Sequence, residues 1–238
     1  MNINNEYNLA RIDVVKPIYS ITPFTLLDYP DKTACILWFA GCNMRCAYCY
    51  NPDIVLGKGK VSFQETLNFL KTRVNLLDGV VLSGGECTLH KNIIKLIIEI
   101  KKMGLLIKMD TNGTNPIILD FLLKEKLLDY VALDFKAPLD KFESITNSKL
   151  YSEFISSLKL LIKSTIAFEV RTTFHSSLLT QNDIQQMIDV LEKFNYSGVY
   201  YIQNFVNNAK TLTEIENSKK LSINTAVLKT RLSVLIRN

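Results

Sequence analysis

The sequence predicts an α/β fold: a partial (β/α)6 barrel in a single domain with a short N-terminal extension. Three observations lead there. Six short β-rich runs alternate with helical stretches, and such alternation implies a parallel sheet with right-handed crossovers. The chain has 238 residues, short of the roughly 250 that a closed eight-fold barrel takes. Polar and small residues gather where each run ends, which is where parallel α/β folds keep their chemistry.

The elements follow in order. Residues 1–32 form the extension: a polar lead over 1–17, then alternating apolar residues with Pro23 and Pro30, which suggest a short hairpin or edge segment. The barrel core runs over 33–205. Its first strand is the compact run from Thr33 to Phe39. A helix over 62–76 starts at Ser62, with Glu65 completing a capping-box pattern. The next strand is 79–83. A helix over 92–103 carries the apolar stripe Ile93, Ile94, Leu96, Ile97 and Ile100, and Gly104 stops it. Strand 105–109, helix 116–126, strand 130–135, helix 150–162, strand 166–174, helix 181–194 and strand 198–202 complete the alternation. The tail is 206–238, where 222–236 fits a helix or a helix followed by a final strand. No linker, low-complexity stretch or internal repeat divides the chain.

Composition sets outer bounds. Hydrophobic residues are 47% and charged residues 21%, ordinary for a globular protein. The net charge of +5 is spread along the chain, too diffuse to argue for nucleic acid. No apolar run is long enough to span a bilayer, and residues 1–6 lack the basic and apolar regions of a signal peptide, so a reducing cytoplasm is the expectation. An odd number of cysteines, five with three in one loop, argues against a disulfide framework.

That loop follows the first strand. Between Gly41 and Asn51, Cys42, Cys46 and Cys49 are spaced C-x3-C-x2-C. Thiolates are soft ligands, and three in a tight loop suit zinc or an iron–sulfur cluster. As zinc ligands they need a fourth partner, for which Cys87 and His90 are candidates. On a 4Fe–4S cube, three cysteines leave one iron open.

The later strand ends carry further candidates. The second ends in Ser83-Gly84-Gly85-Glu86, where two glycines admit a ligand close to the backbone and Glu86 offers a charge for an ammonium. The third ends in Asp110-Thr111-Asn112-Gly113. The fourth carries Asp134 and Lys136, on one side of an extended chain. The fifth carries Arg171, a charge within a barrel strand that needs a partner and therefore points inward. His175 lies just beyond it. Gln203, after the sixth strand, is a candidate adenine contact. Cys35 reads as a small buried apolar residue and Cys87 as structural.

With Tyr48 directly before the last cysteine, the loop resembles the signature of radical S-adenosylmethionine enzymes, whose core fold is also a partial (β/α)6 barrel. Residues 18–51, 171–183 and 201–205 resemble the activating enzymes of glycyl radical enzymes, with greatest similarity to the longer form of the anaerobic ribonucleoside-triphosphate reductase activating proteins. The resemblance implies a 4Fe–4S cluster on Cys42, Cys46 and Cys49, with S-adenosylmethionine at the open iron. It implies cofactor-binding roles for Tyr48, Gly84, Gly85, Glu86, Asp110, Thr111, Asp134, Lys136 and Arg171, the Gly-Gly-Glu element taking the methionine amino group and Lys136 the carboxylate. It also implies that Asp110 and Thr111 lie near the cofactor ribose or a bound monovalent cation, whose site Asp134 can join. The implied reaction is reductive cleavage of S-adenosylmethionine to a 5′-deoxyadenosyl radical, which abstracts a glycine α-hydrogen from a partner enzyme. A flavodoxin or ferredoxin is the implied electron donor. Tyr50 stands where many pyruvate formate-lyase activases have His, so no role is carried to it. The competing readings are a pyruvate formate-lyase-type activase, a radical enzyme acting on a small molecule in the manner of 7-carboxy-7-deazaguanine synthase, and a zinc-binding interaction protein.

Overall fold

The computed structural model describes residues 15–221, 228 and 230–237. Most of the expected polar lead, and Ser222–Val227 of the tail, lie outside the described residues. The strands are β1 (Ile18–Thr25), β2 (Ala34–Phe39), β3 (Gly79–Gly84), β4 (Leu106–Thr111), β5 (Tyr130–Asp134), β6 (Ala167–Phe174), β7 (Val199–Asn204) and β8 (Ser233–Arg237). They form one eight-stranded sheet in sequence order. β1 runs antiparallel to β2, and every later pair is parallel. The six expected strands are β2 to β7. The sheet extends beyond them on both sides and does not close, so β1 and β8 form its edges.

Both additions fall within the sequence reading. Residues 18–25 form the expected edge segment, pairing with β2 as an antiparallel hairpin, and of the two readings of the tail the one that ends in a strand holds, parallel to β7. Parallel pairing needs a long crossover, so nothing local in the tail says which strand it joins.

The helices are α1 (Pro52–Leu56), α2 (Phe63–Lys71), α3 (Ile93–Lys102), α4 (Pro116–Lys124), α5 (Leu139–Thr146), α6 (Tyr151–Lys163) and α7 (Gln181–Lys193). The Ser62–Glu65 capping box is present in full, and Thr180 with Asp183 forms a second one at α7. α2 ends five residues before the expected Leu76, its last residues passing into turns. α1 and α5 were not expected. The first is too short to show a 3.6-residue stripe, and the second buries only Phe142, Ile145 and Thr146 before Asn147 ends it in the left-handed region at φ 51°.

The two faces of the sheet bury different things. Cys35, Leu37 and Phe39 of β2 enter the large core shared with the helices, together with Leu82, Ile97, Met109, Leu133 and Val170. Ala34, Ile36 and Trp38 point the other way, into a small cluster with Tyr29, Val81, Leu106 and Tyr130. This alternation, every second residue to each face, lines the concave side of the barrel.

Candidate functional site

β2 delivers the chain into the cysteine loop, which has almost no secondary structure of its own and is pinned by its neighbours. Gly41 N–H donates to Ile54 O (2.9 Å), Arg45 N–H to Thr146 O (2.8 Å) and Leu212 N–H to Cys49 O (3.1 Å). The Arg45 guanidinium donates to Cys42 O and Met44 O at 2.6 and 2.7 Å. Asn112 donates through its amide to Asn43 Oδ1 (3.0 Å) and approaches Cys42 Sγ at 3.8 Å. All five cysteines are free thiols. Cys42, Cys46 and Cys49 line a cavity of about 440 Å³ on the concave face, within the size of a small-molecule site. Burial pushes the Cys42 thiol up and the Cys46 thiol up to about 12. A metal centre there has to displace those protons.

Across the cavity lies a layer of charge. Asp134 and Arg171 are register partners on β5 and β6, so their side chains stand side by side. Arg171 Nε donates to Asp134 Oδ1 (2.7 Å), and its Nη2 reaches Asp110 Oδ2 (3.3 Å). Lys136 donates to Asp134 Oδ2 (3.0 Å), Ser83 Oγ donates to Asp110 Oδ2 (3.0 Å), and Lys108 pairs with Asp110 Oδ1. Burial alone raises a carboxyl. Here Arg171 and Lys136 outweigh it and hold Asp134 at about 2, and Arg171 and Lys108 lower Asp110. Burial works against the Lys136 charge, yet Asp134 beside it raises the pKa above that of a free ammonium.

Gly84 and Gly85 line the same cavity. They also serve the chain itself. A Cβ on Gly85 would lie 1.8 Å from Gly41 O, and Gly84 has φ +111° with Phe39 N 2.7 Å from where a Cβ would be. Only glycines let the end of β3 pack against the start of the cysteine loop. Glu86 is fully buried. Its carboxylate accepts from Thr88 Oγ (2.6 Å), Thr111 Oγ (3.0 Å) and Asn112 N–H (2.8 Å), and burial raises its pKa despite these donors. The expected ammonium partner thus stands behind the cavity wall, tying the ends of β3 and β4 together.

Tyr48 lines the cavity and is 3% exposed, and its hydroxyl has no hydrogen-bond partner among the described residues. Thr111 is turned from Asp110 toward Glu86. His90 bonds Ala40 O (3.0 Å), and His175 is buried with Nε2 against Glu216 O (2.9 Å). Cys35 and Cys87 are buried in the large core. Gln203 lines the cavity, and Tyr50 stacks on Phe205 at its rim while accepting from Val206 N–H (2.8 Å).

The sequence reading gave no role to Trp38, Asn112, Thr173, Arg237 and Lys108, although Asn112 stood in the third strand-end motif. The first four line the cavity. Lys108 lies beneath it with its side chain 3% exposed. The signal that singled out Arg171, a charge within a buried strand, applied to Lys108 as well.

The cavity offers three thiols, a glycine wall, an orphaned tyrosine hydroxyl and an ammonium. These fit a thiolate-held cluster and an amino-acid-bearing cofactor. Among the described residues, no three His, Cys, Asp or Glu side chains are gathered to hold one metal ion. The carboxylate pair fits an added monovalent metal poorly, because each of its four oxygens already meets a cationic side chain.

Comparison with known proteins bears on the family and the fold. Residues 36–194 match the family model of the Radical SAM superfamily. A Methanocaldococcus jannaschii protein that carries the name glycyl-radical enzyme activating enzyme is 32% identical over 79% of this chain and 79% of its own. The pyruvate formate-lyase-activating enzyme of Clostridium pasteurianum is 32% identical over 52% of this chain and 53% of its own. The fold superposes on Streptococcus suis SuiB bound to S-adenosylmethionine with a TM-score of 0.63 and 14% identity, covering 83% of this chain and about half (48%) of that one.

Proposed function

Because the chain belongs to the Radical SAM superfamily, we propose that it is a glycyl-radical-enzyme activase with S-adenosylmethionine in the cavity between the cysteine loop and the charged layer. The observation that carries this reading is the convergence on one cavity of Cys42, Cys46 and Cys49 with Tyr48, Gly84, Gly85, Asp134 and Lys136. A cluster distributes its cysteine ligands over several irons, so the three thiols need not meet at a point as zinc ligands must. When bound, the cluster and cofactor supply the one-electron cleavage and the 5′-deoxyadenosyl radical that takes a glycine hydrogen.

The chain's own residues bind, orient and exclude water. Lys136, held by Asp134, presents an ammonium to the cofactor carboxylate. Gly84 and Gly85 open the wall to the methionine portion, and the Tyr48 hydroxyl has its donor and acceptor capacity free for it. Glu86 braces Thr111 and Asn112, and Asn112 in turn supports the loop beside Cys42. Thr173 and Gln203, at the ends of β6 and β7, are left for adenosine or substrate.

The anaerobic ribonucleoside-triphosphate reductase is the first partner to try, on the resemblance of residues 18–51, with flavodoxin or ferredoxin as donor. The test is anaerobic reconstitution, reduction and incubation with S-adenosylmethionine and the partner. About four irons per chain and a glycine-centred doublet on the partner by electron paramagnetic resonance are expected. Cofactor cleavage without a partner radical, across all glycyl radical enzymes tried, would point to a small-molecule substrate instead. Zinc alone would sink the reading.

A further inference from the structure

We propose that Lys108 is a built-in cation, standing where a monovalent metal ion would otherwise serve the Asp110–Asp134 pair. Every oxygen of the two carboxylates already meets a cationic side chain. Asp110 Oδ1 is held by Lys108, and its Oδ2 by Ser83 (3.0 Å) and Arg171 (3.3 Å). Asp134 Oδ1 is held by Arg171 (2.7 Å) and Oδ2 by Lys136 (3.0 Å). Thr111, expected near the ribose or a cation, gives its hydroxyl to both oxygens of Glu86. A metal ion would have to share an oxygen with a cationic side chain already on it, or displace that side chain.

Charge leads to the same conclusion. Three cationic side chains face two carboxylates, leaving one net positive charge to meet a single cofactor carboxylate. Of the other carboxylates on this side, Glu169 is balanced by Arg237 (3.5 Å) and accepts from the Tyr130 hydroxyl (3.3 Å), and Asp28, which also lines the cavity, accepts from Thr25 Oγ (2.5 Å). A metal ion would double the excess in a site screened from water. Lys108 reaches Asp110 from below, along its own strand, with the Tyr130 ring 6.0 Å from its ammonium. A buried ammonium is costly unless paired. Its place inside the barrel is explained by Asp110, and Asp110 is in turn held charged and oriented for Arg171.

The inference rests on the activase reading only for the identity of the cofactor, and its first test needs no cofactor. The melting temperature of the cluster-free chain is measured in potassium, sodium or tetramethylammonium chloride at constant ionic strength. Wild type should melt alike in all three. Lys108→Met should melt lower in tetramethylammonium and recover in potassium or sodium, and Lys108→Arg should stay indifferent to the salt.

In the reconstituted protein, S-adenosylmethionine affinity should follow the same pattern. In tetramethylammonium, Lys108→Met should bind at least about tenfold more weakly than wild type, with potassium or sodium restoring it. A wild type that needs potassium or sodium for stability or cofactor binding overturns the inference, even if no variant folds. So does a Lys108→Met protein indifferent to the salt. Absence of cofactor binding in every variant and salt would instead count against the activase reading and leave the melting result standing.

Discussion

The two faces of β4 pass through different media. Ile107 and Met109 are fully buried in the apolar core under the helices, while Lys108 and Asp110, their neighbours in sequence, form an ion pair inside the barrel. β6 repeats the contrast, with Val170 outward and Glu169 and Arg171 inward. The outer face supplies stability through area and packing. The inner face contributes less net stability, because desolvation offsets the attraction between its charges. What it gains is a set of charges held in fixed positions around a cavity. Change on the outer face should therefore be read in stability alone, and change on the inner face in how stability and binding respond to salt, ligand and pH.

Cysteine tests the contrast most severely, since one residue type occurs in both settings. Cys42→Ala, Cys46→Ala or Cys49→Ala should abolish iron loading and cofactor cleavage, measured by metal analysis and 5′-deoxyadenosine release. Cys35→Ala should keep both, since its thiol packs in the large core. Cleavage that survives loss of Cys49 but not of Cys35 would reverse the ligand assignment.

A purely outer change comes next. Ile97 is fully buried on α3. Ile97→Ala should cost about 2–5 kcal/mol in denaturant unfolding, with iron content and cofactor affinity of the folded protein unchanged. Loss of affinity at full folding would mean the faces are coupled.

The inner face should answer to pH. The folded Asp134 pKa, about 2, lies below its ordinary value of 3.8, so its contribution is present above the unfolded pKa and disappears as pH falls through the folded one. Between about pH 5 and pH 2 the chain should lose roughly 2 kcal/mol that Asp134→Asn does not lose. Urea unfolding of both proteins across that range checks it, and parallel curves would remove Asp134 from the account. The smallest effect belongs to neither face. Ser62→Ala at the α2 capping box should cost about 1 kcal/mol by thermal melting and leave cofactor cleavage untouched.

Much of the molecule is legible in local pattern. The six central strands and the helices between them follow from periodicity and capping, because each element satisfies its own backbone and shows its own apolar stripe. The cysteine loop is legible because its ligand spacing lies within eight residues. The edges of the sheet are different. β8 pairs with β7 across some thirty residues, and β1 joins a sheet otherwise built of parallel strands. The alternation over 18–31 signals an edge segment and the tail allows a strand, but neither signal names the partner of the pairing.

The chain's own order of residues therefore determined the alternation, the cysteine spacing and the identity of Asp110, Asp134, Lys136 and Arg171 at successive strand ends. Only the folded barrel decided which of them face each other. Register set Asp134 beside Arg171, burial removed Glu86 from the cavity and bound Thr111 to it, and strand alternation put Lys108 beneath Asp110. The reason is that pairing between charges depends on distances of a few ångströms across strands, whereas spacing along the chain constrains only neighbours on the same strand.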